Sequence, residues 1–183
     1  IALQFSQSEN SEYTNYAFKN KNCYLVFGSH YNEDCLNGQY IYANKDCVDC
    51  DTVEHSELTY ESTYCSHIYN GNYLFNCFTC SDCEFGFDLQ NCRNCFLSAG
   101  LRTQEYRIQN KAVPKEIYHR EVAKWKTTHT IPQLLEELEK IKKTVPHMAV
   151  LQKNCENCLG SMLENSKNCF ACYRAVDIED CLY

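Results

Sequence analysis

The sequence predicts a mainly β protein: a narrow β-solenoid with about 18 residues per turn, joined to a two-helix hairpin that serves as a cap. Three observations carry this. The first ten cysteines share one triplet phase. Aromatic residues recur every 18 positions. A basic middle segment changes to helical periodicity.

Cys23, Cys35, Cys47, Cys50, Cys65, Cys77, Cys80, Cys83, Cys92 and Cys95 are separated only by multiples of three. Ten residues fall into one phase by chance roughly once in 20,000 trials, so a repeat explains them better. The same phase holds Ala17, Val26, Ser29, Gly38, Ile41, Val53, Ser56, Thr59, Ile68, Gly71, Leu74, Gly86 and Leu89, and it contains no charge between Phe5 and Ser98. One phase is therefore small and dry and faces inwards. A helix repeats its faces at 3.6 and a flat strand at two, so a strict three requires short strands broken by corners.

Tyr24, Tyr42, Tyr60, Phe78 and Phe96 set the 18-residue period. In that frame Cys47, Cys65 and Cys83 stack on successive turns at strand spacing, and Asn22, Asn76 and Asn94 form an amide column. A shorter turn, of four or five triplets, fits some of the cysteine gaps as well. The solenoid is expected over residues 1–101.

Residues 102–153 form a different segment. They carry 11 Lys+Arg against 6 Asp+Glu (net +5). Residues 1–101 carry 4 against 13 (net −9), and residues 154–183 carry 2 against 5 (net −3). Pro114 stands near a helix start, with Tyr118, Val122 and Trp125 at i, i+4 and i+7. Thr130 and Gln133 suit a capping box before the stripe Leu134, Leu135, Leu138 and Ile141, and Val145-Pro146 closes the helix. Solenoid ends expose strands and core, so the pair is read as a cap. Its basic charge is also compatible with helix–turn–helix binding to DNA, but the net charge of −7 argues against a general nucleic-acid binder. No apolar run approaches a membrane span, and no signal peptide is visible.

Residues 154–183 restart the cysteine pattern. Lys167, Asn168, Cys169, Glu179, Asp180, Cys181 and Leu182 repeat Lys21, Asn22, Cys23, Glu33, Asp34, Cys35 and Leu36. A solenoid that stops after one turn leaves strands unpaired, so end-to-end self-association or further chain is expected there. Cys155, Cys158, Cys169 and Cys172 also spell C-x2-C-x10-C-x2-C, the spacing of a zinc ribbon. These four are the candidate metal ligands, with zinc as the metal. Cys155 and Cys158 fall off the phase of the restart.

For Cys23 through Cys95 three readings stand. Buried free Cys packs as a small hydrophobe. Stacked cysteines meet the Cα separation of a disulfide. The run "CFTCSDC" at 77–83 is similar to the core of bacterial ferredoxins but lacks the closing Cys-Pro. No feature signals an oxidising compartment, which favours a cytoplasmic protein. Asp46, Asp49, Asp51, Glu54 and Glu57 form an acidic group fit for a cation or for acid/base pairs, while His55 and His67 complete no triad.

The stretches "KNKNCYLVFGSHYNEDCLNGQYIY", "KDCVDCDTVEHSELTYE" and "NCRNCFLSAGLRTQEYRIQNK" resemble Cys-rich repeat proteins predicted in great numbers from candidate-phyla bacteria. The resemblance covers most of residues 16–125 and the restart at 154–183. It implies a repeat fold and supplies no catalytic residue. Members of that family often begin with a zinc-ribbon segment absent here and carry more cysteine; Ser98 and Arg107 stand where Cys is common.

Three functional classes follow. The first is a non-enzymatic scaffold or interaction module, its Tyr-, Asp- and Asn-lined surface meeting a protein or a glycan. The second is a zinc-binding or thiol-redox protein using the CxxC pairs. The third is a glycan-binding or glycan-cleaving β-helix.

Overall fold

The computed structural model describes residues 5–53, 57–146 and 149–183; Glu54, His55 and Ser56 lie outside the described residues. The chain is mainly β with two helices and divides into two compact units, Ile1–Pro146 and His147–Tyr183.

In the first unit β1 (Phe5–Ser6) pairs with β2 (Ala17–Phe18). A nine-stranded sheet follows, formed by β3 (Tyr24–Phe27), β4 (Leu36–Gln39), β5 (Cys47–Asp51), β6 (Glu57–Tyr60), β7 (Tyr69–Phe75), β8 (Ser81–Phe87), β9 (Arg93–Ala99), β10 (Glu105–Ile108) and β11 (Lys111–Ala112). All neighbours are parallel except β10 and β11.

The partners fix the repeat length. Tyr24 faces Leu36, Leu36 faces Val48, and Thr59 faces Gly71. Bridges outside the sheet keep the same offset, as in Glu9 with Lys21, Phe18 with His30 and Thr63 with Phe75. Each level of the stack is therefore a 12-residue turn, the separation at which Asn10 bonds Asn22 and Asn32 bonds Asn20. The expected 18-residue turn is corrected, since six triplets span one and a half levels. Tyr24, Tyr60 and Phe96 stand three levels apart in one column, while Tyr42 and Phe78 belong to a column half a level away. The expected stack of Cys47, Cys65 and Cys83 falls with the longer period. Cys47 is in register with Thr59, and Cys83 follows Gly71. The thiol columns are Cys23–Cys35–Cys47, Cys65–Cys77, Cys80–Cys92 and Cys83–Cys95.

The bends explain the triplet. Every third residue has a positive φ, as at Asn10, Tyr13, Tyr16, Lys19, Asn22 and Leu25. A left-handed residue bends the strand that contains it and turns the chain, as Leu25 does within β3 and Asn70 and Tyr73 do within β7, so four such bends close one level. The conformation costs roughly 1–2 kcal/mol for most side chains and is best tolerated by Asn and Asp. Twelve of the fifteen cysteines follow Asn or Asp, because a bend residue directly precedes each inward position. These amides also link levels. Asn10 Nδ2 donates to Asn22 Oδ1, and Asn22 Nδ2 donates to Asp34 Oδ1, both at 2.9 Å. Asn70 and Asn76 donate in the same way to Asp82 and Asp88.

The inward phase forms the core. Cys23 through Cys95 are buried together with Val26, Ile41, Val53, Ile68, Leu74 and Leu89. One inward column instead holds asparagines on three successive levels, Asn20, Asn32 and Asn44. Asn32 Nδ2 donates to Asn20 Oδ1 at 3.0 Å and to the Ile41 carbonyl at 3.1 Å, and Asn32 Oδ1 accepts the Asn44 N–H at 2.9 Å. Buried amides survive because each donor and acceptor meets a partner one level on.

The helices are α1 (Lys115–Thr128) and α2 (Ile131–Lys142). The expected capping box of Thr130 and Gln133 is present, with Gln133 Oε1 accepting the Thr130 N–H at 2.8 Å. Tyr118, Leu134 and Leu138 bury against Phe85, Phe96, Leu97 and Ile108. The hairpin thus covers an outer flank of β8, β9 and β10. The parallel stacking itself ends where β11 runs antiparallel to β10. Burying each large apolar side chain contributes about 1.5–3 kcal/mol. Among the described residues no helix is long and apolar enough to cross a membrane.

The second unit has β12 (Gln152–Lys153), β13 (Leu159–Glu164) and β14 (Phe170–Val176), all parallel. The restart is paired within this unit: residues 167 and 170 bridge to residues 179 and 182. Its first level is one residue short. Gln152 faces Leu163, an offset of 11, whereas Gly160 faces Cys172, an offset of 12. The slip sits between Leu159 and Gly160. It explains why Cys155 and Cys158 leave the phase of Cys169 and Cys172.

Candidate functional site

The four predicted zinc ligands sit on two levels of the second unit. Cys169 and Cys172 are buried, Cys155 and Cys158 half-buried. Register places Cys158 on Cys169, but Cys155 on Ser166 and Cys172 on Gly160. Among the described residues no three His, Cys, Asp or Glu side chains are placed to hold one metal ion. Of the acidic group, Glu54 lies outside the described residues, and Asp46 and Asp49 stand at successive bends. Asp49 accepts Asn37 Nδ2 at 2.6 Å, and Asp51 accepts the Thr52 hydroxyl at 2.8 Å.

The inward thiols are dry. Each Sγ donates to the carbonyl two residues back, as Cys23 does to Lys21 at 3.2 Å, and several also lie near a carbonyl of the next level, Cys23 at 3.6 Å from that of Asn32. All fifteen cysteines are free thiols. Burial pushes the Cys65 thiol up to about 12 and raises that of Cys77. At these two positions the fold therefore holds the protonated thiol, while an unfolded thiol ionises near 8.5. Stability is complete below that value and is lost as pH rises towards the folded pKa. We expect each such thiol to remove about 1.4 kcal/mol per pH unit above pH ~8.5. Urea midpoints in reductant at about pH 7 and pH 10 read this, and equal midpoints would refute it.

A cleft of about 230 Å³ opens where α1 meets the wall, lined by Asn70, Asp82, Glu84, Phe96, Tyr118, His119, Val122 and Lys126. Lys126 Nζ pairs with Glu84 at 2.6 Å, and Asp82 takes the Asn70 amide at 3.0 Å. Both carboxylates are thus already engaged in holding the hairpin and the wall.

The outer aromatics form the more organised surface. Tyr16, Tyr40 and Tyr64 occupy one bend column, every second level, with φ 54, 53 and 53. Adjacent levels are about 4.8 Å apart, so these rings recur at about 9.6 Å. Gly28 and Thr52 fill the levels between. A Cβ at Gly28 would lie 2.9 Å from Tyr40 Cδ1, so the Tyr40 ring rests on the glycine. Any larger residue at Gly28 would lift it. Tyr16 and Tyr40 are 63% and 53% exposed, and Tyr64 is half-buried edge-on to Phe75. Phe27, Tyr42 and Phe78 flank the column and are also exposed. Asn15, Gln39 and Asp51 supply amides and a carboxylate along one edge. A row that recurs at every second level is readable once a level is known to hold four triplets; a six-triplet frame scatters it.

No family model matches the chain, and no curated protein matches it. A solved structure similar to it is the crystal structure of a Bacillus cereus protein described as an acetyltransferase, with 9% identity over 78% of this chain and 92% of that one. Its TM-score of 0.18 carries no argument about fold or activity.

Proposed function

We propose that this protein is a non-enzymatic interaction module: a narrow β-solenoid with four triplets per turn, whose tyrosine column binds an extended glycan. The observation that supports this is the recurrence of Tyr16, Tyr40 and Tyr64 on one corner. Sugar rings present apolar C–H faces to aromatic faces, as other flat ligands do when they stack. The ~9.6 Å recurrence is close to the disaccharide repeat of an extended β-1,4-linked polysaccharide. Asn15, Gln39 and Asp51 offer hydrogen bonds to hydroxyls beside the rings. A rigid array meets a polymer without ordering flexible loops, which lowers the cost of binding.

Affinity electrophoresis in gels cast with hydroxyethyl cellulose, glycol chitin or xylan tests it. Retarded migration in at least one polymer is expected, and Tyr40→Ala should weaken it by about tenfold, the effect of ~1.4 kcal/mol. Alanine suits this bend because Ala43 already adopts it at φ 54. Unretarded wild-type protein in all three gels would refute the glycan partner, as would equal retardation of a Tyr16→Ala/Tyr40→Ala/Tyr64→Ala variant.

A further inference from the structure

We propose that Cys158, Cys169 and Cys181 form a peroxide-sensitive modification site, in which Cys169 closes a disulfide to one of its two neighbours. Register makes this column. Cys158 and Cys169 lie between the partnered pairs Glu156–Lys167 and Leu159–Phe170, and Cys169 and Cys181 lie between Lys167–Glu179 and Phe170–Leu182. Neighbouring levels stand about 4.8 Å apart, inside the 4.4–6.8 Å Cα separation of disulfides, about 5.5–6 Å being commonest. The other two cysteines of the unit have no thiol in register across levels: Cys155 is level with Ser166 and Cys172 with Gly160, and the Cys172 side chain meets that of Cys169 within its own level.

Exposure separates the roles. Cys169 is 1% exposed, while Cys158 and Cys181 are half-buried and reachable from solvent. Oxidation of a thiol follows access and thiolate character, so an outer thiol reacts first. Hydrogen peroxide oxidises the Cys158 or Cys181 sulfur to a sulfenic acid, and one water leaves. The Cys169 sulfur then attacks that sulfur. The S–S bond forms as the S–O bond breaks, and the sulfenic oxygen leaves as a second water with the Cys169 proton. Two thiols and one peroxide thus give one disulfide and two waters. Cys169 can close one bond at a time, and the remaining thiol of the column can exchange into it. The inward thiols of the first unit, such as Cys77, Cys80 and Cys83 at 0% exposed, are shut off from the same oxidant.

Tryptic mapping of the full chain without reductant tests the site. Cleavage after Lys153, Lys167 and Arg174 puts Cys158, Cys169 and Cys181 on three different peptides. After peroxide treatment of the native protein, residues 168–174 should be found joined to residues 154–167 or 175–183. Cys169→Ser should abolish both links and leave a sulfenic acid that dimedone traps. Serine is already inward at Ser166, so this variant keeps the fold. Cys155→Ser and Cys172→Ser should retain the links. A Cys155–Cys158 or Cys169–Cys172 disulfide in place of the cross-links would overturn the proposal, as would cross-links that survive Cys169→Ser. So would first-unit cysteines oxidised as fast as these.

Discussion

Replacing Asn32 with alanine should destabilise the first unit by about 2–4 kcal/mol, because an unsatisfied buried donor and a cavity each cost of order 1–3 kcal/mol. Asn32 is 2% exposed. Its amide gives hydrogen bonds to Asn20 and to the Ile41 carbonyl, and its oxygen takes the Asn44 N–H. Alanine leaves that N–H without its acceptor in a dry interior. Asn32→Asp should cost more at neutral pH. The carboxylate keeps the Asn44 bond, but it loses both donors and faces Asn20 Oδ1. Its carboxyl is held above its unfolded pKa, so the lost stability should return as pH falls and the group protonates. Urea unfolding followed by circular dichroism measures both variants, with an unchanged m-value as the check that the same surface is exposed. A loss below ~0.5 kcal/mol for Asn32→Ala would mean that water serves these amides as well as the ladder does.

Gly160→Ala should undo the second unit while leaving the first intact. Gly160 absorbs the one-residue slip at φ 156, and an added Cβ would stand 1.9 Å from the Cys172 carbonyl oxygen. Backbone cannot move aside as a side-chain tip does, so β13 and β14 must part. The expected cost is about 3 kcal/mol or more, from a non-Gly residue in a strained conformation plus lost pairing. Hydrogen exchange localises it. The Leu159, Asn165 and Asp177 amides, which bond to Cys169, Lys153 and Glu164, should lose protection by about 100-fold or more, the equivalent of ~2.7 kcal/mol. Those of Tyr24 and Lys21 in the first unit should not change. Full protection at Leu159 in the variant would show that the slip needs no glycine.

The inward set was legible in the sequence. A residue that faces a dry, thin interior must be small or apolar and uncharged, and this local demand repeats at every third position whatever happens elsewhere. All ten cysteines from Cys23 to Cys95 are buried for that reason. The helical stripes were legible too, since Tyr118, Leu134 and Leu138 follow a 3.6-residue period and are the buried residues of their helices. The Asn/Asp–Cys dipeptides carried the bend as well, because a short polar side chain at positive φ is a backbone requirement.

The number of triplets in a level is a different kind of quantity. It is set by which strands pair, a non-local choice that one triplet phase leaves open. Outward aromatics do not record it, because solvent accepts Tyr on any wall; Tyr24 and Tyr42 share a spacing without sharing a column. Only the register shows that Cys23 meets Cys35, that Tyr16, Tyr40 and Tyr64 form a row, and that Cys158 meets Cys169 across a shortened level. The flank beneath α1 and α2 was decided there as well. Phe85, Phe96 and Leu97 occupy outward or bend positions, and they become core only because a helix pair from later in the chain lies over them. Burial dictates composition residue by residue. Hydrogen bonding between levels decides which residues become neighbours.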